Sequence, residues 1–320
     1  MTRRTDIDMA KGLAILLVVF GHLVARTDPA GVGWYEPLRR AVYGFHMPLF
    51  FYLAGLVYAL RPGFLGKRAV RLLVPFFGLG VLEVLCKLVA ARVMFVDNAP
   101  AGLAPGLADL VWHTAASPAL SIWFLFVLFV YCALAAGLFR GRGLVFLGLG
   151  AALYLVPLPA DFYLDRIGRF AVFFAFGLCA GAAGERWLGL VDWVWPWCLA
   201  GLFVILIPYA IFGTGWQEDV RILLLAGGFS APAIHGLLRY SRLKKLNEAF
   251  LFLGRYCFMI YLFNTLFIGL AKALLLPVWG WNAAHFLPFA AALMAAGVIG
   301  PICLKRYGLR YIAPLDRLTD

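Results

Sequence analysis

Apolar runs close to membrane length recur along the chain, separated by short stretches rich in charge, Pro or Gly. They predict ten helices, at about 9–26, 42–60, 70–91, 121–139, 143–158, 168–184, 194–212, 220–238, 250–275 and 283–304. Several fall short of ~20 residues and call for tilt or local thinning of the bilayer. In the first run the polar positions are aligned. Lys11 and His22 are eleven residues apart, about 1100° at ~100° per residue, which leaves them only ~20° apart around the axis. Asp8 lies ~60° from Lys11 on the same broad face. Along the axis Lys11 and His22 are ~16 Å apart, about half of a ~30 Å hydrocarbon slab. Ionisable groups at such depths are costly and by default mark a pathway or a site. The plainer alternative for His22 is a hydrogen bond to a neighbouring helix.

Composition turns this pattern into a fold class. The chain is 64% hydrophobic and 14% charged, with a mean hydropathy of +0.89, too apolar for a soluble domain of 320 residues. The expectation is an all-α, polytopic membrane bundle forming one domain over 1–320, with no second soluble domain. The net charge of +12 sits in short loops on alternate sides of the apolar runs, which excludes nucleic acid as the partner and fixes orientation instead. One side receives Arg3, Arg4, Arg61, Lys67, Arg68, Arg71, Arg140, Arg142, Arg186, Arg239, Arg242, Lys244, Lys245, Lys305, Arg306, Arg310 and Arg317; the other has Arg26, Arg39 and Arg40. Both termini are therefore expected in the cytoplasm, with Lys11 near the cytoplasmic mouth and His22 towards the outer leaflet. A cut after Ala25 would make the start resemble a signal peptide, but Asp6, Asp8, Lys11 and His22 favour a retained helix. The longest outer loop, about 92–120, reads as an irregular cap. The six cysteines are scattered singly, so neither a disulfide framework nor a metal site is expected.

Two further stretches carry chemistry. Arg68 and Arg71, at i and i+3, share a helix face at the cytoplasmic surface; they suit a phosphate or pyrophosphate, or serve as ordinary positive-inside anchors. Phe45-His46-Met47-Pro48 opens the second run from the outer side, placing His46 at about the depth of His22. Glu83 and Lys87, at i and i+4, are expected to neutralise one another, and Trp123 reads as an interfacial anchor able to line a site. Tyr261 and Asn264 are positioned to hydrogen-bond into the core. His113, His235 and His285 fall in loops or near ends and receive no catalytic role. There is no HExxH, nucleophile elbow or Gly-rich phosphate loop.

Taken together, Lys11-x10-His22, Arg68-x-x-Arg71, Phe-His-Met-Pro-Leu-Phe-Phe at 45–51 and Trp123-Phe-Leu resemble the acyltransferase-3 family of membrane acyltransferases. The Ile-Asp-Met-Ala-Lys-Gly…Gly-His opening looks most like its fucose 4-O-acetylase subgroup. The resemblance spans nearly the whole chain and implies ten helices, here without the extracytoplasmic hydrolase-like domain of some members. It implies transfer of an acyl group to a sugar, with His22 the essential histidine, Lys11 its basic partner, and Arg68 and Arg71 the paired arginines. One departure stands out. Where many relatives have Ile-Tyr-Leu-x-His, this chain has Ile260-Tyr261-Leu262-Phe263-Asn264, and Asn264 cannot titrate.

The residues and the resemblance converge on one expectation. A cytoplasmic acyl-CoA, acetyl-CoA before others, docks its phosphates on Arg68 and Arg71 with Lys11 adding charge. Its thioester reaches His22, supported by Asp8 and Lys11, and the acyl group passes to a hydroxyl of a sugar, glycolipid or polysaccharide. An imidazole serves as general base or as transient acyl carrier, with direct transfer preferred. His46, Trp123, Tyr261 and Asn264 are the expected acceptor-side residues, His46, Tyr261 or Asn264 supplying an oxyanion donor. The expected location is a bacterial-type inner membrane, with lipid and a second copy of the chain as further partners. A transporter or flippase with a histidine relay is the chief rival, and a non-catalytic subunit of a polysaccharide export system the third reading.

Overall fold

The computed structural model describes residues 4–24, 32–92, 96, 98–213, 219–312, 315–316 and 318. Arg3, Arg26 and Arg317, used above to assign sides, lie outside the described residues, as does the conceivable cleavage point at Ala25.

The described residues form helices α1 (Thr5–Gly21), α2 (Tyr35–Tyr43), α3 (His46–Leu56), α4 (Phe64–Ala90), α5 (Leu103–Asp109), α6 (Trp123–Ala136), α7 (Gly143–Tyr154), α8 (Leu164–Ala183), α9 (Glu185–Phe212), α10 (Val220–Arg239), α11 (Lys244–Leu275) and α12 (Ala283–Tyr307), with no strand among them. Six of these, α4 and α8 to α12, are long and apolar enough to cross a membrane. The chain is thus an all-α, multi-pass integral membrane protein. The other four expected spans hold shorter helices: α1 of 17 residues, α3 of 11, α6 of 14 and α7 of 12.

One expected span divides. The run at 42–60 is broken between Tyr43 and His46, so α2 ends and α3 begins inside it. Pro48 has no N–H to give the carbonyl of Gly44, so the helical ladder cannot pass through; Pro48 instead sits in the first turn of α3, where a missing donor costs nothing. The short helix α2 itself lies in what reads from sequence as an outer loop.

Two compact units emerge. The first comprises 1–53 and 182–316, holding α1, α2, most of α3 and α9 to α12. Here α1 packs on α11 through glycines. A Cβ placed on Gly12 would lie 2.0 Å from the Phe250 carbonyl oxygen, and one on Gly254 2.0 Å from that of Asp8. With backbones touching, the two helices gain dispersion contact that larger residues would forbid. Gly297 of α12 faces Val19 of α1 at 2.9 Å, and Gly236 of α10 faces Trp195 of α9 at 2.2 Å, by the same construction.

The second unit, chiefly 54–181, contains α4 to α7 and most of α8. Helix α4 starts after Gly63, whose φ of +68° is a left-handed turn that suits a residue without Cβ. Aromatic rings of Tyr131, Phe146 and Phe174 form its centre, and the Tyr131 hydroxyl is satisfied by the Ile167 carbonyl at 2.7 Å.

Candidate functional site

Helix α1 ends at His22, and the first unit holds that end from three directions. The last carbonyls of a helix lack intrahelical partners. Here α2 supplies them. The Tyr35 hydroxyl donates to Phe20 O at 2.6 Å, while Arg39 Nε and the Tyr43 hydroxyl donate to Gly21 O at 3.2 and 3.3 Å. Residues 35, 39 and 43 are spaced i, i+4, i+8 and so share one face of α2. The Arg39 guanidinium also lies 4.3 Å over the Tyr43 ring.

The second direction is α11. His22 Nδ1 lies 2.7 Å from Asn264 Oδ1. Asn264 is fully buried, whereas His22 keeps part of its surface open. The Asn264 amide nitrogen donates to the Ile260 and Tyr261 carbonyls, both at 2.9 Å. The α1–α11 crossing at Gly12 and Gly254 explains the register. Ten residues further along each helix, about 15 Å at 1.5 Å per residue, come His22 and Asn264. Two helices running the same way from a shared contact bring those side chains level.

The third direction is α3. His46 is buried at its first position, its Nδ1 donates to the Val42 carbonyl at 2.9 Å, and its ring sits 4.8 Å from that of Tyr43. His22 and His46 are within electrostatic reach of each other and of Arg39. Tyr261 is buried one turn before Asn264.

At the other end of α1, Lys11 Nζ is 3.6 Å from Asp8 Oδ1, an i, i+3 pair partly open to solvent. The face shared by Asp8 and Lys11 in the sequence pattern is therefore the face they occupy. The remaining expected residues belong to the second unit. Arg68 and Arg71 lie in the first turns of α4, both partly exposed, with the Arg68 guanidinium 5.2 Å from the Phe64 ring. Trp123 is buried at the start of α6 beneath the Arg166 guanidinium, 4.4 Å above its ring. Glu83 accepts from the Ser121 hydroxyl at 3.0 Å.

His235 has a setting that its place near a helix end does not announce. It is fully buried within α10. Its Nε2 is 2.8 Å from Asp6 Oδ2, and Arg4 Nη2 reaches the same oxygen at 3.1 Å. Its Nδ1 is 3.2 Å from the Tyr52 hydroxyl, which accepts from Trp187 Nε1 at 2.8 Å. Indole only donates and carboxylate only accepts, so Trp187 donates to Tyr52 and His235 Nε2–H donates to Asp6, while Arg4 Nη2 stands 3.0 Å from the same ring nitrogen. This network ties α9, α3 and α10 to the start of α1. The one sequence signal for it was an acid two residues before Asp8.

Among the described residues no three His, Cys, Asp or Glu side chains gather as a metal site. Residues 4–306 match the family described as an acyltransferase domain. Two curated relatives are similar: a nodulation protein NolL from Mesorhizobium japonicum, 27% identical over 230 residues, and a nodulation protein NolL from Sinorhizobium fredii, 40% identical over 84 residues. The first alignment covers 68% of this chain and 57% of the relative, the second 23% and 22%. The chain thus spans little more than half the length of the first relative and under a quarter of the second. No solved structure matches.

Proposed function

Because this chain belongs to the acyltransferase domain family, we propose that it is a membrane O-acyltransferase moving an acyl group, acetyl before others, from acyl-CoA to a hydroxyl of a sugar, glycolipid or polysaccharide. The observation that carries this reading is His22: a partly exposed imidazole at the end of the apolar helix α1, clamped by α2 and α11. Its working location is the inner membrane of a bacterial-type cell.

In the proposed step His22 takes the proton of the acceptor hydroxyl as its oxygen attacks the thioester carbonyl. The tetrahedral adduct collapses, the C–S bond breaks, the ester forms, and the departing CoA thiolate takes the proton back from the imidazolium. No other reactant is needed. Direct transfer is preferred to an acyl-imidazole because it uses only this one proton exchange. Arg68 and Arg71 are proposed to receive the phosphates of the donor, since guanidinium pairs one turn apart suit bidentate phosphate binding. Lys11, steadied by Asp8, adds positive charge on α1. Tyr261 is the candidate acceptor-side donor, with Trp123 a candidate wall for the sugar; His46, expected as a donor, has already given its Nδ1–H to the Val42 carbonyl, so its Nε2 can only accept.

The test is incubation of the purified protein in vesicles with radiolabelled acetyl-CoA and sugar acceptors. Label appears on the acceptor with the native protein and is lost with His22→Ala. Movement of acceptor across the vesicle without acyl-CoA, and no label transfer, would show a transporter instead.

A further inference from the structure

We propose that Asn264 is the positioning residue of His22: it holds the imidazole as the Nδ1–H tautomer and so makes Nε2 the nitrogen that takes the acceptor's proton. This inference rests on the reading of His22 as the base.

The Asn264 amide can face only one way. Its nitrogen has two hydrogens, and two carbonyls, Ile260 O and Tyr261 O, stand 2.9 Å away to accept them. Turned over, the amide would press its oxygen against two carbonyl oxygens inside a fully buried site, an arrangement of acceptors with no proton between them. The orientation is therefore set by chemistry. Oδ1 faces His22, and an amide oxygen only accepts, so His22 Nδ1 at 2.7 Å must carry a hydrogen. In neutral imidazole the other nitrogen then holds the lone pair. Among the described residues Nε2 meets no hydrogen-bond partner, and His22 remains partly exposed.

Neither partner is free to drift. Asn264 is bonded back to its own helix, and α11 is locked to α1 at Gly12, Phe250 and Gly254. His22 follows carbonyls held by Tyr35, Arg39 and Tyr43. The arrangement matches the role of the carboxylate that orients histidine in hydrolytic triads, but with a neutral acceptor. It also removes Asn264 from direct duty on the oxyanion, because both amide hydrogens are already given to backbone. The expectation that Asn264 would stabilise the adduct or orient the acceptor thus gives way to a role exerted through His22.

The charge of the acceptor gives a readout that packing alone cannot imitate. Among the described residues, the charged and titratable groups within electrostatic reach of this imidazole are Arg39 of α2, His46 of α3 and Lys272 of α11. Replacing the amide by a carboxylate adds an anion in contact with Nδ1–H. That favours the imidazolium, so the base is neutral only at higher pH and the acid limb of the kcat/KM profile moves up.

The experiment compares His22→Ala, Asn264→Ala, Asn264→Leu and Asn264→Asp with the native protein in vesicles, using acetyl-CoA and an acceptor that accepts label. Asn264→Ala and Asn264→Leu are expected to lower kcat by about 10–100-fold, the usual range for loss of a partner that orients a working histidine, with KM values nearly unchanged. Asn264→Asp is expected to recover most of kcat and to raise the acid limb by about one pH unit. If the Ala and Leu variants fail to fold, the near-isosteric Asp variant decides alone through its pH profile. Native kcat in Asn264→Ala, a loss confined to acceptor KM, or an unmoved acid limb in Asn264→Asp overturns the inference. Activity surviving in His22→Ala would instead sink the reading beneath it, so the two failures are distinguishable.

Discussion

Gly12 of α1 and Phe250 of α11 touch through main chain alone: a methyl group on Gly12 would stand 2.0 Å from the Phe250 carbonyl oxygen. Neither a backbone carbonyl nor the two helices that frame the crossing can move aside cheaply. Gly12→Val is therefore expected to cost more than the ~1–3 kcal/mol of ordinary overpacking and to carry His22 and Asn264 out of register. Thermal unfolding in detergent should show a large fall for Gly12→Val and Gly254→Val. Gly269→Ala is the control, since that glycine of the same helix has nothing within 4 Å of its would-be Cβ. Equal behaviour of the three variants would mean the close crossing does not govern stability.

The buried path from Trp187 through Tyr52 and His235 to Asp6 makes a second prediction. His235→Ala leaves the Asp6 carboxylate without the donor 2.8 Å away and the Tyr52 hydroxyl without its partner at 3.2 Å. Breaking a buried pair from one side typically costs about 3–5 kcal/mol, much of it from the partner left behind. Removing both partners should therefore cost less than the sum. A double-mutant cycle of Asp6→Ala and His235→Ala, read by thermal unfolding, should show strong non-additivity. Additive losses would show that the two side chains do not share an interaction.

These two relationships mark what the chain discloses by itself. Local arithmetic served well where partners are neighbours: Asp8 and Lys11 share a face and lie 3.6 Å apart. Apart from the run at 42–60, which divides before Pro48, the apolar runs likewise hold helices, because burial in lipid leaves the backbone little else to form. Long-range pairing leaves no such mark in the sequence. Asp6 and His235 are separated by 229 positions, and His22 and Asn264 by 242; no periodicity within one helix reports such contacts. His235 looked peripheral because it is near a helix end in sequence, yet that end of α10 is enclosed by α1, α3 and α9. Helix α2 went unseen for a different reason. Its Tyr35, Arg39 and Tyr43 are polar or amphipathic and serve the carbonyls of another helix, so they lack the apolar run by which the spans were found.

Arg40 supplies a third prediction, about a basic residue on the side otherwise poor in them. Its guanidinium pairs with Glu36 and donates to the carbonyls of Ala210, at 3.2 Å, and Gly213, at the end of α9. A cation there satisfies orphan carbonyls and opposes the negative end of the helix dipole, effects of about 0.3–1 kcal/mol near a surface. Arg40→Ala should speed hydrogen exchange in the last turn of α9 while leaving its middle protected. Unchanged exchange at 208–213 would remove Arg40 from the role of cap.

Arg68 and Arg71 present the sharpest choice between two roles, because positive-inside anchors and phosphate ligands look alike in sequence. Both residues are partly exposed at the start of α4, as either role requires. The donor's own chemistry separates them. Acetyl-CoA carries phosphates on its nucleotide end, whereas acetyl-pantetheine delivers the same thioester without them. A hydrogen bond to a charged group is worth about 1.5–3 kcal/mol, or roughly 10–100-fold in affinity. As phosphate ligands, Arg68→Ala and Arg71→Ala should each raise the KM for acetyl-CoA by that factor and leave kcat near native. With acetyl-pantetheine the same variants should behave like the native protein, because the group they would hold is missing. Raised salt should weaken acetyl-CoA binding in the native protein and matter less in the variants. An anchoring role gives the opposite pattern: lower insertion or yield, and equal behaviour towards both donors in whatever protein reaches the membrane. A KM that rises for both donors alike would remove the phosphates from the explanation and leave the two arginines as orienting charge.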